Sequence, residues 1–199
     1  MYLVNQRRSF TQVAAFLLTL SFAFGFQHQT YAQYERKNVR FGVVCELPIN
    51  SNTVESTNYD LEAFNTAYGN FCVKAFHLKD FYGKDKQIMQ WASQYSRNRK
   101  MWKNLDSTAK LILQQLTVLD DLNPVHSVNT SYKMVGKRHV YSITFKKSTA
   151  GGTYIGECIG TIIPDKLLYI KAIHYIPQEN FDEEVQKIEL HFFESLKMR

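Results

Sequence analysis

The chain has 199 residues, of which 45% are hydrophobic, and it carries a formal net charge of +6 at pH 7. This length suits one domain with a sizeable core, and the sequence shows no internal repeat or low-complexity tract that would indicate a second one. The mild positive charge permits an anionic partner or surface without requiring one.

The first 32 residues have the features of a cleaved secretory signal peptide. Arg7 and Arg8 precede residues 13–26, which carry no charge. This apolar run is about 14 residues long, whereas a membrane-spanning helix needs roughly 20. A small residue, Ala32, ends the polar stretch that follows, so the predicted cleavage lies between Ala32 and Gln33.

Cleavage would leave residues 33–199 as a single globular domain that we expect to be periplasmic or secreted. No later stretch is long and apolar enough to span a bilayer. The alternative is that the apolar run is a buried N-terminal helix. Arg7-Arg8 also matches half of the twin-arginine export motif, but Thr11 and Gln12 depart from it, which favours the general export route.

A short polar arm, residues 33–38, opens the predicted domain, and residues 40–48 form its first strand. Apolar side chains occupy every second position from Phe41 to Leu47, which is the period of a half-buried strand. Pro48 cannot donate a ladder hydrogen bond and ends the run.

Residues 59–68 and 71–78 form the next two predicted strands. Gly69-Asn70 between them favours a two-residue hairpin turn. Because residues 71–78 carry apolar groups on both faces, we expect this strand to lie in the interior of the sheet.

The hydrophobic period then changes to that of an amphipathic helix over residues 85–98. A second helix follows, capped by Asp106 or Ser107 and ended by Asn123-Pro124. We expect this helical pair to cover one face of the sheet.

Four further strands are predicted, separated by short turns, at residues 127–135, 138–147, 153–163 and 167–176. Short turns between neighbouring strands require antiparallel pairing. Such a meander is expected to have one solvated face and one covered face.

The last predicted element is a C-terminal helix over residues 181–197. Asn180 followed by Glu183 resembles a capping box, and the acidic start and basic end of the segment complement the helix dipole. The predicted fold class is therefore α+β, an antiparallel sheet of about six to seven strands with a C-terminal helix and a central helical pair packed on it.

Three local patterns accompany this order of elements: FGVVCELP at residues 41–48, DKLLY at 165–169 and the closing helix at 181–196. Together they resemble the PsbP-like superfamily, which includes a photosystem accessory protein and bacterial periplasmic relatives. The resemblance implies a sandwich of helices around an antiparallel sheet and an accessory or scaffold role. It carries over no catalytic residue.

The three cysteines are Cys45, Cys72 and Cys158, and each lies within an apolar run. Their spacing matches no metal-binding pattern. Export would permit a disulfide, but an odd count leaves at least one free thiol. Buried free thiols are the favoured interpretation, and a single bridge among the three stays open.

The most distinctive stretch of the domain lies at residues 97–103, where four basic residues surround an aromatic one. Such a patch suits an acidic protein, a phosphate group or lipid headgroups. The alternative is a solvated helix end with the indole packed into the core. Nucleic acid is not an expected partner, because an exported protein seldom meets it. The candidate partner-binding residues are Arg97, Arg99, Lys100, Trp102 and Lys103.

No catalytic or metal-binding constellation stands out in the sequence. No histidine after the cleavage position lies three or four residues from another histidine or a cysteine, so neither a metal site nor a cofactor is predicted. His139 and His174 lie in meander strands, where we expect an ordinary cross-strand contact.

The favoured function is therefore a non-catalytic accessory or protein-binding domain of the bacterial cell envelope, with an unknown protein or acidic surface as partner. Two alternatives stay open. One is a carrier of a small apolar ligand, held between helix and sheet. The other is a hydrolase whose site residues are dispersed along the chain.

Overall fold

The computed structural model describes residues 32–119 and 125–199. Most of the predicted signal peptide lies outside the described residues. The second predicted helix ends at Leu116, with Thr117 as its C-cap, so the predicted end at Asn123-Pro124 is wrong. The elements belong to one compact unit, Tyr34–Arg199. They are β1 Tyr34–Asn38, β2 Val43–Pro48, β3 Asn52–Val54, β4 Leu61–Asn65, β5 Gly69–His77, α1 Leu78–Tyr82, α2 Lys86–Arg97, α3 Ser107–Leu116, β6 His126–Val135, β7 Arg138–Thr149, β8 Gly152–Ile163, β9 Leu168–Pro177, α4 Glu183–Ser195 and β10 Lys197–Met198.

Two antiparallel sheets organise the unit. The large sheet has seven strands in the order β3-β4-β5-β9-β8-β7-β6, and the small sheet has the order β1-β2-β10. Every strand pair is antiparallel. The predicted α+β class and antiparallel sheet are confirmed, because short connections join each strand of the meander to its spatial neighbour.

The small sheet differs from the sequence prediction. Residues 33–38, expected to be a polar arm, contribute β1, which pairs with β2. The strand expected over residues 40–48 begins only at Val43, because Phe41 and Gly42 turn the chain with φ values of 59° and 76°. The polar residues of β1 do not reveal a strand by themselves, since the buried partner β2 supplies most of the apolar contact.

The helical pair α2 and α3 packs on one face of the large sheet, which we call the helix-pair face. Tyr95 and Ile112 of the helices share a buried cluster with Tyr141 and Tyr169 of the sheet. The hydroxyls of Thr117 and Tyr169 are hydrogen-bonded at 2.7 Å, which satisfies two polar atoms inside this cluster. The predicted packing of a central helical pair on the sheet is thus confirmed.

The C-terminal helix α4 packs on the opposite face, so the expected solvated face of the sheet is wrong. The rings of Phe71 on β5 and Phe192 on α4 meet edge to face at 5.1 Å. Every residue of β9 from Leu168 to His174 is buried. Because β5 and β9 carry apolar side chains at both odd and even positions, both faces of the sheet require cover.

Aspartates begin the three longer helices. The carboxylates of Asp85, Asp106 and Asp182 accept hydrogen bonds from backbone N–H groups of the first turn. Asp106 is one of the two caps predicted for α3, whereas the capping box at Asn180 is wrong, because Gln178–Asn180 form a 3-10 turn that delays the start of α4. Among the described residues, none of the helices has the length and apolar content needed to cross a membrane.

The three cysteines are free and buried. Cys72 on β5 and Cys158 on β8 both lie opposite Ile173 on the intervening strand β9. They are therefore two strand spacings apart, roughly 9–10 Å, whereas a disulfide needs Cα atoms within about 7 Å. Cys45 lies in the small sheet, and burial raises the pKa of its thiol to about 12. The geometry favours three free thiols over the open alternative of a bridge.

We predict that the three thiols resist modification in the folded protein, because burial excludes the reagent and disfavours the reactive thiolate. Ellman's reagent at pH 8 should leave the folded protein unmodified and should release three equivalents after unfolding in guanidinium without reductant. Release of a single equivalent from the unfolded, unreduced protein would instead demonstrate a bridge.

Arg138, the first residue of β7, holds the C-terminal end of α4. Its guanidinium donates to the carbonyls of Phe193 at 3.0 Å and Glu194 at 3.2 Å, and to that of Leu196. The last carbonyls of a helix have no intrahelical partner, and a cation there also complements the helix dipole. Burial lowers the pKa of Arg138 and the nearby Glu194 carboxylate opposes this shift. The side chain therefore ties the end of α4 to the large sheet.

We predict that Arg138→Met lowers the free energy of unfolding by about 2–3 kcal/mol, because buried carbonyls lose charged donors. The adjacent exposed residue supplies the control, and Lys137→Met should change stability by less than about 0.5 kcal/mol. Urea unfolding monitored by tryptophan fluorescence measures both. Equal stabilities of the two variants would contradict the assigned role.

Candidate binding surface

The predicted basic segment forms the connection between α2 and α3, which we call the cationic loop (residues 97–103). Arg97 is the last residue of α2, and Met101–Lys103 form a 3-10 turn. The loop presents four positive charges to solvent within one short connection. The exposed basic side chains are Arg97, Arg99, Lys100 and Lys103.

Trp102 anchors this loop to the domain. Its indole N–H donates to the carbonyl of Tyr95 at 2.6 Å, and its ring packs half-buried against the core cluster. The guanidinium of Arg99 lies 5.9 Å from the centre of the ring. Burial, with a smaller effect from Asp106, raises the pKa of Tyr95 to about 12. Of the five predicted contact residues, Trp102 therefore positions the loop, and the four cations are the groups available to a partner.

Three further hydrogen bonds hold the flanks of the loop. The indole N–H of Trp91 donates to the carboxylate of Asp106 at 2.8 Å, and the same carboxylate caps α3 through the N–H of Ala109. On the far side, Nε2 of His139 lies 3.1 Å from the carbonyl of Lys103, to which it donates. These bonds fix the loop backbone before any partner arrives, which reduces the conformational entropy lost on binding.

The charges of the loop are not neutralised by the described part of the chain. None of its four cations forms an ion pair with a carboxylate in residues 32–119 or 125–199. Lys137 lies close by, where it lines a cavity of 130 Å³ together with Trp102. The surface potential here is positive, which favours the approach of an anionic group.

Sequence reasoning missed a buried ionic cluster between the large sheet and α4. His174 is fully buried; its Nδ1 lies 2.7 Å from a carboxylate oxygen of Glu189 and its Nε2 lies 2.7 Å from the carbonyl oxygen of Tyr68. The carbonyl oxygen of Tyr68 can only accept, so Nε2 of His174 donates to it, while Nδ1 and the Glu189 carboxyl group share the second hydrogen bond. Only the alignment of α4 with the sheet could have revealed this pair.

His139 and His174 do not meet across the sheet, contrary to the expected contact. His139 faces the helical pair, where it binds the carbonyl of Lys103, whereas His174 faces Glu189 on α4. The two rings lie on opposite faces of the sheet. His139 is in line with Tyr169 on β9, which is an odd number of positions from His174, and successive side chains of a strand point to opposite faces. Within the described residues, no group of three or more histidine, cysteine, aspartate or glutamate side chains is placed to hold a metal ion.

The comparisons with known proteins describe this chain only by its shape. No family model matches it. No curated protein matches it either. A crystal structure from Bacteroides thetaiotaomicron VPI-5482 is similar at 15% identity with a TM-score of 0.47, covering 79% of this chain and 45% of that chain. The chain thus spans less than half the length of that protein, and no argument about function rests on the likeness. The resemblance to the PsbP-like superfamily stays a prediction.

We predict that Nε2 of His174 carries a proton in the folded protein, because it lies 2.7 Å from the carbonyl oxygen of Tyr68, which can only accept. Two-dimensional ¹⁵N–¹H spectra of the imidazole rings show which ring nitrogen is protonated, and His174→Gln assigns the signals. A His174 ring with a bare Nε2 would contradict the assignment.

Proposed function

We propose that the chain is an exported, non-catalytic accessory domain that binds an acidic surface of another protein through the cationic loop. One observation carries the proposal: four exposed cations lie on a backbone that Trp102 and His139 fix in place, without a carboxylate partner among the described residues. Two guanidinium groups and two ammonium groups suit carboxylate clusters, since arginine binds carboxylates through paired N–H donors.

Electrostatic complementarity accelerates association and selects partners more than it raises affinity. We therefore expect moderate binding that weakens steeply as ionic strength rises, because exposed charges are screened within about 8 Å in physiological salt. The export component of the proposal rests on residues 1–32, with the cleavage position at Ala32 and Gln33, and places the partner in the periplasm or outside the cell.

The alternative of an apolar-ligand carrier has less support. Between the helical pair and the sheet, the side chains of Ile112, Leu113 and Tyr169 are almost fully buried and pack against one another. The cavity between the helical pair and the sheet has a volume of 130 Å³, below the range of about 300–1,000 Å³ found for small-molecule sites.

We predict that reversing the charges of the loop abolishes binding to an acidic polypeptide. Immobilised poly-L-glutamate is the probe, and biolayer interferometry across a salt series is the measurement. The loop variant should bind at least about tenfold more weakly, a loss that corresponds to about 1.4 kcal/mol. A control variant with four equally exposed lysines reversed elsewhere should stay within about threefold of the parent protein. The loop variant replaces Arg97, Arg99, Lys100 and Lys103 with glutamate, and the control replaces Lys79, Lys84, Lys86 and Lys187 with glutamate.

Because both variants change the net charge equally, the comparison separates a localised site from general attraction. Equal weakening of the two variants would contradict the proposal. The proposal would also be contradicted if the protein bound phosphatidylglycerol vesicles through the loop but did not bind poly-L-glutamate. That result would identify a lipid surface as the partner. Circular dichroism spectra verify that each variant is folded.

A further inference from the structure

A cavity of 370 Å³ lies on the helix-pair face of the large sheet, at the opposite end from the helical pair. Tyr175 of β9 belongs to its wall and points to the same face as Tyr169, since the two residues are an even number of positions apart. The cavity crosses five adjacent strands, from Phe64 on β4 through Asn70 and Tyr175 to Tyr154 and Lys147. Its volume is within the range of about 300–1,000 Å³ found for small-molecule sites.

Aromatic rings form the apolar part of this cavity. Tyr154 and Tyr175 meet edge to face at 6.1 Å, and the ring of Phe145 on β7 lies 6.4 Å from that of Tyr175, across Gly156 of the intervening strand β8. Phe64 contributes a ring that is 42% exposed, which leaves its surface available. Burial raises the pKa of Tyr175, so its hydroxyl stays a neutral donor and acceptor.

Two glycines allow the neighbouring strands to approach the strand that carries Tyr175: Gly69, which lines the cavity, and Gly156 on β8. A Cβ atom at Gly69, which has a φ of 85°, would lie 2.5 Å from the carbonyl oxygen of Tyr175 and 2.9 Å from the Cβ of Ile176. A Cβ atom at Gly156 would overlap the carbonyl of His174 and the side chain of Tyr175. Side chains at either position would therefore displace the strand that carries Tyr175.

Hydrogen-bonding groups and one cation surround the rings. Hydroxyl and amide side chains come from Thr66, Asn70, Thr149 and Asn180. Of the described residues that line the cavity, Lys147 alone is charged, and its ammonium lies 5.4 Å from the centre of the Tyr175 ring. Stacking on the tyrosine holds this cation at the wall, where an anionic group of a ligand would meet it.

We propose that this cavity binds an acidic sugar, a pyranose ring that carries a carboxylate. One face of a pyranose presents C–H groups, which pack on aromatic rings, and its periphery presents hydroxyls, which match the threonine, asparagine and tyrosine groups of the wall. The carboxylate pairs with the Lys147 ammonium. An apolar ligand would separate the side chains of Thr66, Asn70 and Asn180 from water without replacing the lost hydrogen bonds, which costs free energy. This site is separate from the cationic loop and does not depend on the function proposed for it.

Isothermal titration calorimetry with D-galacturonic acid and D-galactose tests the proposal. These two sugars differ only at C6, where galacturonic acid has a carboxylate and galactose has a hydroxymethyl group. We expect the full-length protein to bind galacturonic acid about tenfold more tightly than galactose, the effect of one charge-assisted hydrogen bond. A galacturonic acid trimer distinguishes a free sugar from the end of an acidic polysaccharide. Tighter binding of the trimer indicates the polysaccharide, and equal binding indicates the free sugar.

Two variants locate the site. Lys147→Ala should remove the preference for galacturonic acid while galactose binding persists, and Tyr154→Ala should weaken both sugars by about tenfold. The control is Lys146→Ala, because Lys146 is exposed, adjacent in the chain and points to the opposite face of the sheet. The proposal is overturned if none of the three ligands produces heat. It is also overturned if sugar binds and neither Lys147→Ala nor Tyr154→Ala changes that binding.

Discussion

The constraint on which the rest of the structure depends is that the central strands of the large sheet are apolar on both faces. β9 is buried along most of its length, and β5 beside it buries residues of both parities. A sheet of this kind is stable only if both faces are removed from water, which requires a layer of structure on each side. The helical pair supplies one layer and α4 supplies the other, so the order of elements follows from the need to cover two faces.

Covering the second face has an electrostatic consequence. His174 and Glu157 are cross-strand partners in strands that are otherwise apolar, and both side chains are buried. A buried charge destabilises a fold unless a partner of opposite charge and further hydrogen bonds compensate for its lost hydration. Glu189 on α4 compensates His174, and Lys133 with Ser142 compensates Glu157. The pair of His174 with Glu189 restricts α4 to one register on the sheet, because a shift by one residue would leave His174 without its carboxylate.

The two proposed sites divide the helix-pair face between them. At one end the helical pair covers the sheet, and the connection between its helices extends outward as the cationic loop. At the other end the sheet extends beyond the helices, and the exposed strands form the cavity around Tyr175. Both sites share the same design, in which buried aromatic residues fix the position of exposed polar or charged groups. Preorganisation of this kind lowers the entropic cost of binding.

Local patterns in the sequence determined the meander, the helical pair and the C-terminal helix, because periodicity and turn residues act over a few neighbouring positions. The exposed cations of the loop were also predictable, since a run of charged residues is rarely buried. Only the tertiary structure decided the pairing of β1 with β2, the contact of His174 with Glu189, the separation of Cys72 from Cys158 and the cavity around Tyr175. Each of these depends on which strands lie side by side and on which face a side chain points to. That information arises from contacts between residues far apart in the chain, and a single sequence does not contain it in any local pattern.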